Sequence, residues 1–265
     1  MTVARAQIPK DRKFRTFRAV MALVLREMTT TYGRSAGGYI WAFVQPIAGI
    51  ALLTFIFTLI ARTPPLGTNF PFFYATGLLP LAFFQGINGQ LAGSLVFSRA
   101  LLAYPAVSFT DALMARFLLN GLTQGLVFFL LLTGIVIFYD YHPTLRWKEI
   151  FLALGMLVCV TLAFGTMNCY LFNRYPVWQQ VWGVMTRPLF LISGIFYLPE
   201  NLPRDTREIF MWNPMAQVIS QFRKGFYSTY DAVYVTPMYP FLLSMVIGSL
   251  GLLFLLRNYR SLLLR

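Results

Sequence analysis

Long neutral stretches of mostly apolar residues recur along this chain, separated by short polar or basic segments. Five of them reach the length of about 20 residues that an α-helix needs to cross a bilayer. They cover residues 37–60, 72–97, 117–139, 150–173 and 237–256. Apolar runs of this length with almost no charge predict membrane-crossing helices.

A sixth stretch, residues 177–198, is apolar but contains Arg187 followed by Pro188. This pair interrupts the span, and exposed backbone groups are tolerated at membrane depth only where protein or a water-filled cavity satisfies them. We therefore predict a sixth span that is broken at this pair and lies in the interior of the bundle.

The segment before the first long stretch has a helical pattern of its own. One arc carries the apolar residues Phe14, Phe17, Met21, Val24, Leu25 and Met28, and the other side carries Arg12, Arg15, Arg18 and Arg26. This predicts an amphipathic interfacial helix at the end of a basic arm, residues 1–34. The helix either anchors the chain to lipid alone or also docks a cytoplasmic partner.

Residues 199–236 form the second irregular region. They combine several prolines and balanced charge with an apolar piece, residues 211–222, that is too short to cross a bilayer. We predict a re-entrant or interfacial hairpin on the outer side, which closes a pathway or acts as a passive cap. The predicted fold is an all-α membrane protein whose transmembrane domain, residues 35–265, has six transmembrane helices.

Composition and charge strengthen this interpretation and orient the chain. Of 265 residues 57% are hydrophobic and 12% are charged, against about 25% charged in soluble domains. The net charge is +13, and on the six-span topology 15 of the 22 Lys and Arg residues fall on the side of the two termini. The positive-inside rule then predicts that both termini are cytoplasmic. Anchoring to anionic lipid explains the basic charge more simply than binding to nucleic acid does.

Several kinds of chemistry are missing from the sequence. No glycine-rich phosphate-binding loop is present, and no Asp or Glu lies in the five neutral stretches, which disfavours both ATP binding and an ion-coupled transporter. The only histidine, His142, has no candidate nucleophile beside it, and Cys159 and Cys169 fall on different faces of one stretch. We expect no catalytic site, no metal site and no disulfide, and thus a subunit that a separate ATPase drives.

Five segments, in order, resemble those of polysaccharide-export permeases of the ABC transporter superfamily. They are REMTTTYGRSAGGYIWAFVQP at 26–46, FPFFYATGLLPLAFFQ at 70–85, ALLAYPAVSFTDALMAR at 100–116, SGIFYLPENLP at 193–203 and WNPMAQVISQFRKGFY at 212–227. The resemblance covers nearly the whole length. The chain is most similar to the capsular-polysaccharide branch, and exporters of O-antigen and teichoic acid are close relatives.

This resemblance implies a homodimer in the inner membrane and two nucleotide-binding subunits that bind ATP and Mg²⁺. It also implies a lipid-linked acidic polysaccharide as substrate, and co-polymerase-like periplasmic and outer-membrane export proteins as partners. Two alternatives remain open at this point. One is a drug or lipid exporter of the same superfamily, and the other is a channel or scaffold subunit that ATP does not drive.

A polar, flexible polymer needs stacking surfaces and replaceable hydrogen bonds along its path. The candidate pathway residues are Tyr39, Trp41, Phe43, Phe83, Phe84, Arg187, Phe196 and Tyr197. Arginines at span ends suit an anionic terminus at a cytoplasmic entrance, and the candidates are Arg34, Arg99, Arg116 and Arg174. Ordinary packing aromatics and lipid-anchoring arginines would show the same pattern.

Coupling to the ATPase should pass through cytoplasmic elements that move as rigid pieces. The candidates are Arg26 and Glu27 in the interfacial helix, and Tyr104, Pro105 and Asp111 in the loop between the second and third spans. Asp111 pairs with an arginine of the partner or, as we favour, caps the third helix.

Overall fold

The computed structural model describes residues 15–28, 38–102 and 107–263. These residues form eleven α-helices joined by turns, with no strand among them. The helices are α1 Arg15–Glu27, α2 Gly38–Ile60, α3 Phe70–Ala92, α4 Ser94–Phe97, α5 Arg99–Leu102, α6 Phe109–Phe138, α7 Trp147–Arg174, α8 Pro176–Ile192, α9 Arg204–Met211, α10 Pro214–Phe226 and α11 Met238–Leu263. The all-helical class predicted from the sequence is confirmed.

Five helices, α2, α3, α6, α7 and α11, are long and apolar enough to cross a membrane. Each coincides with one of the five neutral stretches, although α6 begins at Phe109, eight residues before the predicted start. The extension is capped by Ser108 and Asp111, which exchange side-chain and backbone hydrogen bonds in a capping box. The local capping signal therefore defines the start of α6 better than hydropathy does.

The predicted break at Arg187 and Pro188 is wrong. Helix α8 continues through Pro188, because a proline near the end of a helix removes one hydrogen bond and bends the helix without ending it. The chain leaves the helix only at Ser193, and Gly194 follows with a φ of 76°. Helix α8 has no buried residue within the chain, so it lies at the edge of the bundle and not in its interior as predicted.

Helices α3 and α7 are the inner helices of the bundle. In the most apolar part of α3, 72% of the residues are buried, and in α7 50%, against 11–22% in the three other long helices. Helix α11 packs closely on α7, because a Cβ on Gly251 would approach the backbone nitrogen of Met167 to 2.8 Å. Such close backbone approach through small residues is typical of helix packing in membranes.

The two ends of the bundle differ in what covers them. At one end, called the α1 end here, α1 packs against the start of α6 through Val20, Leu23 and Glu27. At the opposite end, called the α10 end, α10 lies between α3 and α7 with 11 of its 13 residues buried. The Arg146 backbone N–H donates to the Gly225 carbonyl at 2.8 Å and fixes the start of α7 there.

The region predicted as an outer hairpin is a helix-turn-helix. Helix α9 is mostly exposed and buries Phe210 alone, whereas α10 is buried. Asn213 separates the two and caps α10, because its side chain accepts a hydrogen bond from the Met215 N–H at 2.9 Å. This region therefore exposes most of the charged helix α9 and buries α10 between α3 and α7.

Candidate transport site

Three neighbouring cavities follow α8 from the α1 end toward the α10 end. The first encloses about 350 Å³ beside the connection between α7 and α8. Its lining residues are Leu95, Val96, Arg99, Phe172, Asn173, Pro176 and Leu262. It therefore places one exposed arginine and one amide at the α1 end of α8.

The second cavity, about 560 Å³, is a groove between α3 and α8 and shares Phe172 with the first. Its lining residues are Gln85, Gly89, Phe172, Gln179, Trp182, Gly183, Thr186, Arg187 and Phe190. The third, about 430 Å³, shares Gln85 and Phe190 with the second and extends over α2 and α6, where Gln45 and Gln124 line it. We call the three cavities together the α8 track.

The α8 track has several polar residues in its lining, although the long helices that contribute to it are strongly apolar. Gln45, Gln85 and Gln124 lie on three different long helices and face the same cavity. An amide facing lipid would lose its hydrogen bonds with water and gain none, which costs several kcal/mol on hydrocarbon scales. These positions indicate a surface that is covered by protein or water.

The chemistry of this lining suits a carbohydrate. Glutamine amides and the Thr186 hydroxyl can donate to and accept from sugar hydroxyls, and the rings of Trp182 and Phe190 offer apolar faces. Arg187 is exposed and adds a permanent positive charge in the second half of α8. The arrangement offers many weak, replaceable contacts along a line.

A buried polar chain holds the first half of α8 in place. The Trp178 indole N–H donates to the side-chain oxygen of Asn168 at 3.0 Å, and the side-chain amide of Asn168 donates to the side-chain oxygen of Asn88 at 2.9 Å. This chain joins α8, α7 and α3. Farther along α8, the Thr186 carbonyl accepts a hydrogen bond from the Gln85 amide at 3.4 Å, and the Ile192 carbonyl accepts one from the Asn213 amide at 3.0 Å.

The predicted pathway residues fall into three groups. Arg187 lines the α8 track, and Phe196 packs against Phe190, with ring centroids 5.0 Å apart. Tyr197 donates its hydroxyl proton to the Leu191 carbonyl at 3.1 Å, just beyond the end of α8. These three lie at or beside the track.

The other pathway candidates lie elsewhere. Phe83 and Phe84 are buried in the core, where Phe84 contacts Phe164 edge to face. Trp41 is 69% exposed on α2 and Phe43 is half-buried, and neither lines the three cavities. The side chain of Tyr39 lies outside the described residues.

Some of the predicted entrance arginines lie at the α8 track and others do not. Arg99 is exposed in the first cavity, and Arg174 lies beside that cavity with its guanidinium 5.2 Å from the Tyr175 ring centroid. Arg116 is buried and forms an ion pair with Glu27, with Nε and Oε1 3.1 Å apart. It therefore tethers α1 to α6 and is not presented to a substrate. Arg34 lies outside the described residues.

The coupling candidates meet at the α1 end. Arg116 also donates to the Gln90 carbonyl at 2.6 Å, and its guanidinium stacks 4.2 Å from the Phe97 ring, which Arg26 approaches at 5.4 Å. Glu27 thus faces α6 and not the surface, which differs from the docking role considered above. Asp111 caps α6, as we favoured from the sequence. Tyr104 and Pro105 lie outside the described residues.

Sequence reasoning missed the glutamines, Trp182 and Thr186 of the track. The available signal was the presence of Gln45, Gln85 and Gln124 within otherwise apolar stretches, where amides are costly in lipid. Within the described part of the chain, no cluster of three His, Cys, Asp or Glu residues could hold a metal, and both cysteines are free.

Several known proteins have sequences similar to this chain. The chain is 27% identical over 233 residues to the polysialic acid transport protein KpsM of Escherichia coli, which covers 88% of this chain and 90% of KpsM. It is 26% identical over 222 residues to the capsule polysaccharide export inner-membrane protein BexB of Haemophilus influenzae, covering 82% and 83%. It is 25% identical over 242 residues to the O-antigen export system permease protein RfbA of Klebsiella pneumoniae, covering 84% and 86%.

A match to a protein family gives the assignment. Residues 18–227 match the ABC-2 type transporter family, and this range includes the whole α8 track except its residues on α11. The family fits an all-helical chain with five helices that are able to cross a membrane. The chain is a multi-pass membrane protein that belongs to the ABC-2 type transporter family.

Proposed function

We propose that this chain is the permease subunit of an ATP-driven exporter that moves lipid-linked capsular polysaccharide across the inner membrane. The observation that carries this proposal is the α8 track, whose amides, aromatic rings and arginine suit a polar polymer. The names of two relatives, a polysialic acid transporter and a capsule polysaccharide exporter, support it. The chain itself is a transport subunit and not an enzyme.

The proposed topology has six spans, with α8 as the fifth. Its 17 residues extend for about 26 Å, close to the hydrocarbon thickness of about 30 Å. Its first residue adjoins the first cavity at the α1 end, and the turn after it contacts α10. With both termini cytoplasmic, the α1 end faces the cytoplasm and α9 and α10 form an outer re-entrant hairpin.

Helix α1 is proposed to lie in the cytoplasmic membrane interface. Its Val20 and Leu23 pack against α6, whereas Phe17, Met21 and Leu25 are exposed. An exposed apolar arc beside basic residues is the pattern of a helix that rests in the headgroup region. The basic arm before it would add attraction to anionic lipid.

A homodimer would complete the transport path. All residues of α8 are exposed or half-buried in one protomer, and the polar track opens on that side. A second copy that covers this face would remove the amides from lipid and enclose the polymer between two equivalent tracks. The proposed symmetric dimer would therefore shield the polar lining from lipid and cover the exposed face of α8.

Energy would come from two separate nucleotide-binding subunits that bind ATP and Mg²⁺. We propose that they contact α1 near Arg26 and the 99–111 segment, which includes Tyr104, Pro105 and Asp111. The ion pair between Glu27 and Arg116 joins α1 to α6 and would make these contact elements move together. Periplasmic and outer-membrane export proteins would receive the polymer.

O-antigen is the second candidate substrate, favoured by the similarity to an O-antigen export permease over 84% of this chain. The two substrates share a lipid-linked polysaccharide, and the α8 track suits either. Deletion of the gene separates them, because loss of a capsule and loss of O-antigen are distinguished by the composition of the missing surface polymer.

Substitution of two neighbouring glutamines tests the track directly. Gln179→Trp places a bulky ring in the second cavity, while Gln180→Trp makes the same change at an exposed position outside the three cavities. We expect the first variant to lower polymer export at least about tenfold by obstructing the path, and the second to export normally. Export is measured as surface polysaccharide per cell at equal membrane levels of the protein.

The comparison has a clear contrary outcome. Parental export by both variants, with both inserted at the parental level, would show that the second cavity does not carry polymer. Export lowered equally by both would point to the α8 surface as a whole and would count against the track as the specific path.

A further inference from the structure

Arg223 of α10 is a fully buried cation at the α10 end of the bundle. No carboxylate among the described residues lies within ion-pair distance of it. Its acceptors are backbone carbonyls: Nη1 donates to Gly194 at 2.5 Å and to Tyr197 at 3.2 Å, and Nη2 donates to Ile195 at 2.9 Å. Burial lowers the pKa of the guanidinium to about 10, so it remains charged at neutral pH.

The carbonyl groups belong to the turn that follows α8. Carbonyls at the C-terminus of a helix and just beyond it lack intrahelical partners and carry partial negative charge, which a guanidinium can satisfy. Gly194 enters the turn at a φ of 76°, and Gly77 of α3 lets the turn approach closely, because a Cβ there would lie 3.2 Å from the Ile195 Cα. The ring of Phe73 stacks 4.0 Å from the guanidinium carbon and closes the site from α3.

This turn carries Phe196 between two of the carbonyls that Arg223 binds. The Phe196 ring packs edge to face on Phe190 at 5.0 Å and stacks on Phe57 of α2 at 5.5 Å. Phe190 lines both the second and the third cavity. The three rings therefore form one aromatic cluster at the α10 end of the α8 track.

We propose that Arg223 is a positioning residue for transport: by binding the 193–198 turn it holds Phe196 over the α10 end of the α8 track. The inference rests on the proposed function, which makes this end the outer mouth of the path. A guanidinium fork can bind several carbonyls at once, whereas an ammonium group concentrates its charge at one point. The forked geometry of the guanidinium, and not its positive charge alone, would hold the turn in position.

Cysteine accessibility tests the proposal without any polysaccharide. Cys159 and Cys169 are replaced with alanine, and Thr186→Cys places one reporter thiol in the second cavity. Intact spheroplasts are treated with a membrane-impermeant maleimide in the parent and in the Arg223→Met, Arg223→Lys and Lys224→Met variants. Lys224→Met is the matched control, because it removes a neighbouring cation of α10 that is not fully buried.

We expect Arg223→Met and Arg223→Lys to raise the labelling rate about tenfold, since hydrogen bonds to a charged group are the strongest that hold the turn. Lys224→Met should label like the parent. A parental rate in Arg223→Met at an equal membrane level overturns the proposal, and a parental rate in Arg223→Lys shows that charge alone is sufficient and overturns the role of the fork.

A second variant covers the case in which Arg223→Met does not accumulate. Gly194→Ala strains the positive φ of the turn and leaves the guanidinium intact, so it should also raise the labelling rate. An unchanged rate in this variant contradicts the proposal. Raised labelling together with an unaltered surface polymer after gene deletion would leave the positioning role in place and contradict the proposed export function alone.

Discussion

Replacement of Arg116 by methionine is expected to destabilise the protein by about 3–5 kcal/mol, because it removes the ion-pair partner of the buried Glu27 carboxylate. Glu27 and Arg116 are both nearly inaccessible to solvent, and the ion pair joins α1 to α6. The hydrogen bond to the Gln90 carbonyl and the stacking on Phe97 would also be lost. Thermal unfolding in detergent, followed by intrinsic fluorescence, should show a clearly lower midpoint.

The double variant Glu27→Gln, Arg116→Met supplies the control. Removal of both charges leaves no buried carboxylate whose ion-pair partner is missing. The double variant should therefore be more stable than Arg116→Met alone. Arg174→Met, which removes a half-buried arginine stacked on Tyr175, should leave the unfolding midpoint near that of the parent. A midpoint for Arg116→Met equal to that of Arg174→Met would contradict the structural role of the ion pair.

Arg187→Glu is expected to lower export of an acidic polysaccharide at least about tenfold, because it replaces an attractive cation with a negative charge that repels the polymer. Arg187 lies in the middle cavity of the track, where each segment of the polymer would pass it. Arg187→Lys keeps the positive charge and should retain most of the export. The measurement is the ratio of surface to intracellular polymer in cells that produce equal amounts of each variant.

A charge reversal elsewhere separates this effect from a general change in charge. Arg62 is exposed in the connection between α2 and α3 and lines none of the three cavities, so Arg62→Glu should export like the parent. Normal export by Arg187→Glu would remove Arg187 from the path. Equal loss in the two variants would indicate an effect of charge on membrane insertion.

Hydropathy alone located the five long helices, because the length of an apolar run is a direct consequence of bilayer thickness. It failed at α8, where the charge of Arg187 and the ring of Pro188 suggested a break that the backbone does not have. The reason is that sequence shows the two residues but not their surroundings. The Arg187 side chain lines a cavity, and Pro188 lies near the end of the helix. Both residues are therefore compatible with a continuous helix.

The candidate site was predicted in part. Arg99 and Arg187 were predicted because charges at or inside spans are few, and both line cavities of the track, while Phe196 packs on Phe190 at its wall. Their roles in transport stay predictions. The sequence does not distinguish the core residues Phe83 and Phe84 from aromatic residues that line a pathway, since all faces of an inner helix such as α3 are mostly apolar. Arg116 was misplaced because its partner Glu27 is distant in sequence.

Arg223 was not recognised for a related reason. In sequence it sits beside Lys224 in a polar loop region and resembles an ordinary surface charge. Only the fold brings it against the backbone of a turn 29 residues away, through the bond to Gly194. Contacts between a side chain and a distant backbone leave no residue pattern, because every residue type has a carbonyl group.

The central claim, that this chain exports lipid-linked polysaccharide, is tested most directly by deleting its gene and measuring surface and intracellular polymer in the same cells. The account predicts a bare surface with polymer retained inside, restored by the parental chain and not by the Gln179→Trp variant. An unchanged surface polymer after deletion would contradict the claim and would favour a drug or lipid exporter of the same superfamily.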